Sequence, residues 1–169
     1  VGPEAIIVNE YPLRVEHCER TRPGTYFGLS PAGGLGWGLG AALGIKLAKP
    51  ERDVVCTMGD GAYIFTNPTA SHWVAQVQGL PLLTIIFNNA LHGAVRNSTS
   101  AMYPKGVSAQ SGGRMLADLS PAPAFESLAG AKGLGLRVET VAELRPALER
   151  ALAATREGQQ ALVNIICDY

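Results

Sequence analysis

Five short runs rich in β-branched residues punctuate the chain, at positions 5–9 (AIIVN), 53–58 (DVVCTM), 82–87 (LLTIIF), 135–139 (GLRVE) and 161–167 (ALVNIIC). Most lack the apolar–polar alternation of a half-buried strand, so both faces of each strand have to be covered. A parallel sheet with helices packed on each side does that for several strands at once. Segments of helical character lie between the runs. Residues 33–48 are apolar nearly all round, with Gly34, Gly36, Gly38, Gly40 and Gly44 permitting close approach to the sheet or to a neighbour, and Pro50 stops the helix. Asn67-Pro68 offers an N-cap and a first-turn proline, after which Ala70, Trp73, Val74 and Val77 recur at helical spacing. Another helix is expected around 124–131. A last one follows Thr140-Val-Ala-Glu143, a capping-box pattern, and continues through Leu144, Leu148 and Leu152. Pro146 in its second turn is expected to bend it or delay its regular start. Strand and helix alternate in order, which predicts an α/β fold: a right-handed, doubly wound parallel sheet with helices on both faces. The stretch from Ala90 to about Pro123 breaks this rhythm with Gly93, Gly106, Gly112, Gly113 and three prolines, and reads as a lid or binding loop.

Composition bounds the partners. The 169 residues amount to one domain, long enough to bury a core. Lys+Arg and Asp+Glu both number 14, so no basic patch is implied and nucleic acid is not an expected partner. Cys18, Cys56 and Cys167 show no CxxC or paired spacing, and the latter two sit in apolar runs. This pattern reads as reduced thiols in a cytoplasmic compartment. No run is long enough to span a membrane and no signal peptide is visible, so no membrane partner is expected. The chain opens Val1-Gly-Pro-Glu4 without Met and enters an apolar strand within a few residues, which reads as a piece of a longer polypeptide.

The chemistry is concentrated in two short segments. Gly59-Asp60-Gly61 comes straight off one predicted strand, and Asn88-Asn89, after 26 intervening residues, comes straight off the next. In an open α/β sheet both would emerge at the carboxyl edge, where ligands bind. The glycines let backbone N–H groups approach an anion, and the helix starting near Asn67 adds a favourable field. One carboxylate and one amide oxygen are hard ligands suited to Mg²⁺, which takes few protein ligands beside phosphate oxygens and water. Either segment alone is commonplace: a lone GDG is a common turn and an isolated Asn-Asn is usually a solvated loop. Together, flanking one strand–helix–strand unit, they predict a Mg²⁺–phosphate site.

With these segments the chain resembles the thiamine-diphosphate-dependent enzymes, whose cofactor signature is GDG, a spacer of this length, then NN. Ala5-Ile-Ile-Val-Asn-Glu10, Pro31-Ala-Gly-Gly-Leu-Gly36 and Pro50-Glu-Arg-Asp-Val-Val55 extend the likeness to benzoylformate decarboxylase and acetolactate synthase over nearly the whole chain. The resemblance implies that residues 1–169 form the C-terminal diphosphate-binding domain of such an enzyme. It further implies that Asp60, Asn89 and the carbonyl of Leu91 ligate Mg²⁺. Gly59, Gly61 and the amides of Ala62 and Tyr63 would hold the diphosphate, while Asn88 orients the turn. The Gly33 carbonyl would accept from the cofactor's 4′-amino group, and Leu35 would be the wedge beneath the bent cofactor. His92 stands where relatives often carry an aromatic, with Ala94 and Val95 then facing the substrate pocket. His92 is also the one catalytic candidate, meeting diphosphate or substrate; a solvated loop is its alternative. Benzoylformate decarboxylase carries hydroxyl residues after the position matching Glu10 that help bind the diphosphate. Here Tyr11-Pro12-Leu13 stands instead, so backbone amides or other residues have to replace that contact.

The remaining candidates read as structural. His72 is expected at the surface or in packing, His17 on a solvated helix face, and Trp37 and Trp73 in the core or an interface. Arg96 and Arg114 read as solvated, with a carboxylate partner as the alternative. No His or Cys spacing supports zinc. The resemblance implies a pyrimidine-binding domain, of the same or a partner chain, that brings the glutamate activating the cofactor. It also implies a homo-oligomer, dimer or tetramer, and a small 2-oxo acid as substrate. The activity would be decarboxylation or carboligation, with the isolated chain catalytically silent. A subunit of a split two-chain decarboxylase and a non-catalytic α/β binding module are the alternatives. A phosphotransfer domain would need a P-loop or a phosphoacceptor cluster, and neither is present.

Overall fold

The computed structural model describes residues 1–28, 32–113 and 115–168. Its centre is a six-stranded sheet built from β1 (Ile6–Glu10), β2 (Tyr26–Phe27), β3 (Val54–Gly59), β4 (Leu83–Asn88), β5 (Leu134–Val138) and β6 (Ala161–Ile166). The strand order is β2-β1-β3-β4-β6-β5, and every pairing is parallel. The α/β reading therefore holds, and burial of the strands on both faces accounts for their lack of alternation. Ile6, Val8, Val54, Cys56, Met58, Ile86 and Leu162 face one side, where α1 (Trp37–Ala48) brings Leu39, Ala42 and Leu43, and α3 (Pro68–Val77) brings Ala75. Val55, Leu83, Val138 and Val163 face the other side, against Leu144, Leu148 and Ala151 of α6 (Val141–Arg156). Neighbouring residues of one strand thus go to opposite buried layers, as the pleat requires.

The expected strands lie within one residue of the observed ones. The two-residue edge strand β2 was not expected, because two residues carry no period. Four helical readings need correction. The helix expected from residue 33 begins at Trp37, since Gly36 takes φ +89° and cannot continue a helix. Asn67 precedes α3 as expected, but in the left-handed region (φ +51°) and without a capping bond from its side chain. The segment around 124–131 is a 3₁₀ turn over Phe125–Ala129 rather than an α-helix. The helix α6 starts at Val141 and runs through Pro146, and the Glu143 carboxylate reaches back to the Thr140 N–H at 3.0 Å. The face of α3 is only partly the one its periodicity suggested: Val74 packs against the core, but Trp73 and Val77 are 63% and 55% exposed, while His72 and Ala75 are buried.

The long stretch after β4 is not structureless. It contains α4 (Gly93–Met102) and α5 (Val107–Gln110) and is tied back by a bridge between Leu91 and Asp118. The short helix α2 (Asp60–Phe65) follows β3 directly. Cys18, Cys56 and Cys167 are free thiols. Among the described residues no helix is long and apolar enough to cross a membrane.

Candidate functional site

The chain leaves β1 towards β2 on one side and leaves β3 towards β4 on the other. A crevice opens at the carboxyl ends of strands whose connections part in this way. A cleft of about 450 Å³ lies there. Its walls come from the residues after β1 (Glu10, Tyr11, Pro12), after β3 (Gly59 to Ala62) and after β4 (Asn89, then Leu91 to Val95). The segment before α1 closes it with Gly33, Gly34, Leu35 and Trp37.

Asp60 opens α2 and is only 3% exposed. Its Oδ1 accepts from the Gly61 N–H at 2.7 Å and its Oδ2 from the Leu91 N–H at 3.2 Å. Asn89 Oδ1 accepts from the same Leu91 N–H at 3.1 Å. A carboxylate and an amide oxygen from two different strand ends therefore converge on one donor. Ala90, at φ +53°, makes the turn that brings the Leu91 amide back to them. Burial pushes the Asp60 carboxyl above its ordinary range. The N–H groups of Gly61, Leu91 and Ala90 oppose that shift, as does the charge of His92. A cation in the cleft would favour the ionised carboxylate.

Two glycines at or beside this wall sit under close approaches. A Cβ on Gly61 would stand 2.3 Å from His92 Nδ1, so the imidazole lies directly over that residue. A Cβ on Gly36 would stand 2.7 Å from the backbone carbon of Phe65. By contrast, a Cβ on Gly33, Gly34 or Gly59 would meet nothing within 4 Å. At these three the missing side chains leave space that a ligand can fill. His92 also meets the Phe65 ring edge-on, at a centroid separation of 6.1 Å.

Of the residues singled out from the sequence, Gly33, Leu35, Gly59, Asp60, Gly61, Ala62, Asn89, Leu91, His92, Ala94 and Val95 line this one cleft. Asn88 and Tyr63 do not. Asn88 is fully buried; its Nδ2 donates to Asn164 Oδ1 and the Pro123 carbonyl, and its Oδ1 accepts from the Ala90 N–H. Tyr63 turns its ring into the core. His17 is exposed and His72 is buried, which excludes the surface option for the latter. Trp37 packs partly against the core. Arg96 lies against Gly113, and Arg114 and Pro31 fall outside the described residues.

Sequence reasoning missed Glu10 as a part of the site. Its carboxylate, 2% exposed, accepts from the N–H groups of Gly36 and Gly38 at 2.5 and 2.7 Å. It therefore satisfies the first turn of α1 in place of an N-cap side chain and holds the Gly33–Gly36 wall in position. A charged residue ending an otherwise apolar strand was the available signal.

A parallel sheet with a glycine-walled cleft at its switch point, and hard oxygen donors gathered at one corner, defines an α/β domain built to hold a phosphorylated ligand. The chain belongs to a family of that class, the thiamine pyrophosphate enzymes, through their C-terminal TPP-binding domain, which matches residues 12–165. A probable acetolactate synthase of Mycobacterium bovis is 36% identical over 148 residues, covering 86% of this chain and 24% of the relative. Benzoylformate decarboxylase of Pseudomonas aeruginosa is 33% identical over 160 residues, 90% of this chain and 28% of that enzyme. Among solved structures, a thiamine diphosphate-dependent 4-hydroxybenzoylformate decarboxylase of Rhodococcus jostii matches with a TM-score of 0.73 at 26% identity. That match covers 99% of this chain and 30% of the other. The chain thus spans about a quarter of the length of the curated relatives it matches.

Proposed function

We propose that this domain binds the diphosphate of thiamine diphosphate through Mg²⁺, as part of a longer enzyme that decarboxylates or joins 2-oxo acids. The observation that carries the reading is the convergence of Asp60 Oδ2 and Asn89 Oδ1 on the Leu91 N–H. Both oxygens keep lone pairs free, and with the Leu91 carbonyl they make a set of hard donors of the kind Mg²⁺ takes. The open space at Gly59 and the N–H groups that follow it suit phosphate oxygens. Gly33 and Leu35, on the wall held by Glu10, suit the aminopyrimidine end and the bend of the cofactor. When bound, thiamine diphosphate supplies an electron sink for the bond broken beside a 2-oxo group. The residues of this chain hold and orient it, and Asn88 fixes the turn that carries Asn89. His92, Ala94 and Val95 line the part of the cleft left for the substrate.

The activating glutamate belongs, on this reading, to a pyrimidine-binding domain of the same or a partner chain, and the working enzyme is a homo-oligomer. Calorimetry on the full-length protein tests the proposal. Thiamine diphosphate should bind in the presence of Mg²⁺ and lose most of its affinity on chelation or in Asp60→Ala. Binding indifferent to both would overturn it.

A further inference from the structure

Directly behind the turn assigned to the diphosphate lies a buried polar series that cofactor binding does not itself use. Tyr63, the residue after Gly61-Ala62, is 0% exposed, and its hydroxyl lies 2.8 Å from His72 Nε2. His72 Nδ1 lies 2.9 Å from Gln160 Oε1, and Gln160 Nε2 donates to the His72 carbonyl at 3.1 Å. That last bond fixes which way the Gln160 amide faces, so its Oε1 is the acceptor. The His72 proton must then sit on Nδ1, and the Nε2 lone pair must accept from Tyr63. Burial lowers the pKa of His72, which keeps the imidazole in this neutral form. Every bond in the series has one possible direction.

We infer that Tyr63, His72 and Gln160 are positioning residues for the diphosphate-binding turn. The inference deepens the proposed function and rests on it. The helix α2 has only six residues, too few to hold its own register by backbone bonds. Tyr63 is its inward anchor. Through His72 it is tied to α3, and through Gln160 to the start of β6, which pairs along β4 up to Asn88. The turn bearing Asp60 and the turn bearing Asn89 are thereby referred to one frame by directional bonds. The edge-on contact of Phe125 at 5.1 Å fills space around the Tyr63 ring but sets no direction for its hydroxyl. A Phe at 63 would pack as well, so the hydroxyl's work is orientation.

Tyr63→Phe in the full-length protein removes that hydroxyl alone. We expect the Kd of thiamine diphosphate with Mg²⁺ to rise about tenfold, equivalent to about 1.4 kcal/mol, with KM for the 2-oxo acid unchanged at saturating cofactor. In the cofactor-free protein, amide exchange across α2 should quicken selectively. The ¹⁵N shifts of His72 should report the Nδ1-protonated neutral ring in the wild type and change in the variant. Val138→Ala, in the opposite core layer, is the control for mere loss of stability and should leave the Kd and the relative exchange of α2 unchanged. Should Tyr63→Phe not fold, Gln160→Met breaks the far link and should move the same readouts in the same direction. Equal responses from Val138→Ala and the relay variants, or an Nε2-protonated His72, would overturn the inference. Absence of cofactor binding by the wild type would instead sink the proposed function, leaving the exchange and ¹⁵N readouts to judge the relay by itself.

Discussion

Thr84 stands in the row Val8, Cys56, Thr84, Leu162 that crosses the middle of the sheet. It is 0% exposed, and its hydroxyl finds no hydrogen-bond partner among the described residues. A buried unmet hydroxyl costs free energy that a methyl of the same shape does not. Thr84→Val should therefore stabilise the fold by about 1–2 kcal/mol, read as a higher urea midpoint at unchanged slope. His72 yields a prediction of pH dependence. Its folded pKa lies below the unfolded value of about 6.5, so on acidification the unfolded chain takes up the proton first. Its contribution is complete above that value and is lost as pH falls through the lower folded pKa. Unfolding free energy measured from pH 7.5 to 5 should decline, and His72→Gln should show a shallower decline. Residues also differ in how readily the sequence disclosed them. Asp60 and Asn89 were legible because each adjoins the end of its own strand. Glu10 was not, because the N–H groups it serves lie 26 and 28 positions further on. The inward turn of Tyr63 likewise depends on His72 and Gln160, and the latter two are 88 positions apart.

At the level of elements, strands were easier to read than helices. Burial on both faces leaves its mark within each strand, as at Val54 and Val55, which go to opposite layers. Helix boundaries and faces depend on what the sheet presents to them. Trp73 and Val77 satisfied the helical period of α3, yet the sheet is met by Ala75, and His72 turns inward to Tyr63. The glycines of α1 divide in the same way. Gly38 is needed where the Glu10 carboxylate approaches, whereas Gly40 and Gly44 face open space. Inside a helix, an unneeded glycine costs backbone entropy and alanine does not. Gly44→Ala should raise the stability of this domain by about 0.5–1 kcal/mol, measured by thermal or urea unfolding. If the outer face of α1 is where the proposed oligomer packs, the same change should weaken assembly of the full-length protein, seen as a shift towards smaller species in sedimentation. A gain in stability with unaltered assembly would place the interface elsewhere.

For the molecule as a whole, the cleft supplies one half of what the proposed chemistry needs. Its anchoring corner is well enclosed: Asp60 is 3% exposed and Leu91 4%. The opposite wall is open, with Leu35 47% exposed, Val95 52% and Tyr11 65%. Chemistry on a 2-oxo acid gains from a site that excludes water and strengthens its electrostatics, and these walls leave that side of the cleft to solvent. Nor, among the described residues, does the cleft offer a carboxylate free to activate an aminopyrimidine. Of its two acidic wall residues, Asp60 faces the anchoring corner, and both oxygens of Glu10 are taken by the N–H groups of Gly36 and Gly38. Releasing Glu10 would unmake the start of α1 and with it the wall carrying Gly33 and Leu35. The 169-residue chain alone, given thiamine diphosphate and Mg²⁺, should therefore leave pyruvate and benzoylformate unconsumed, as followed by CO₂ release. Turnover by the isolated chain at a rate near that of the full-length protein would mean that the activating group lies within these residues, with no second domain needed to supply it.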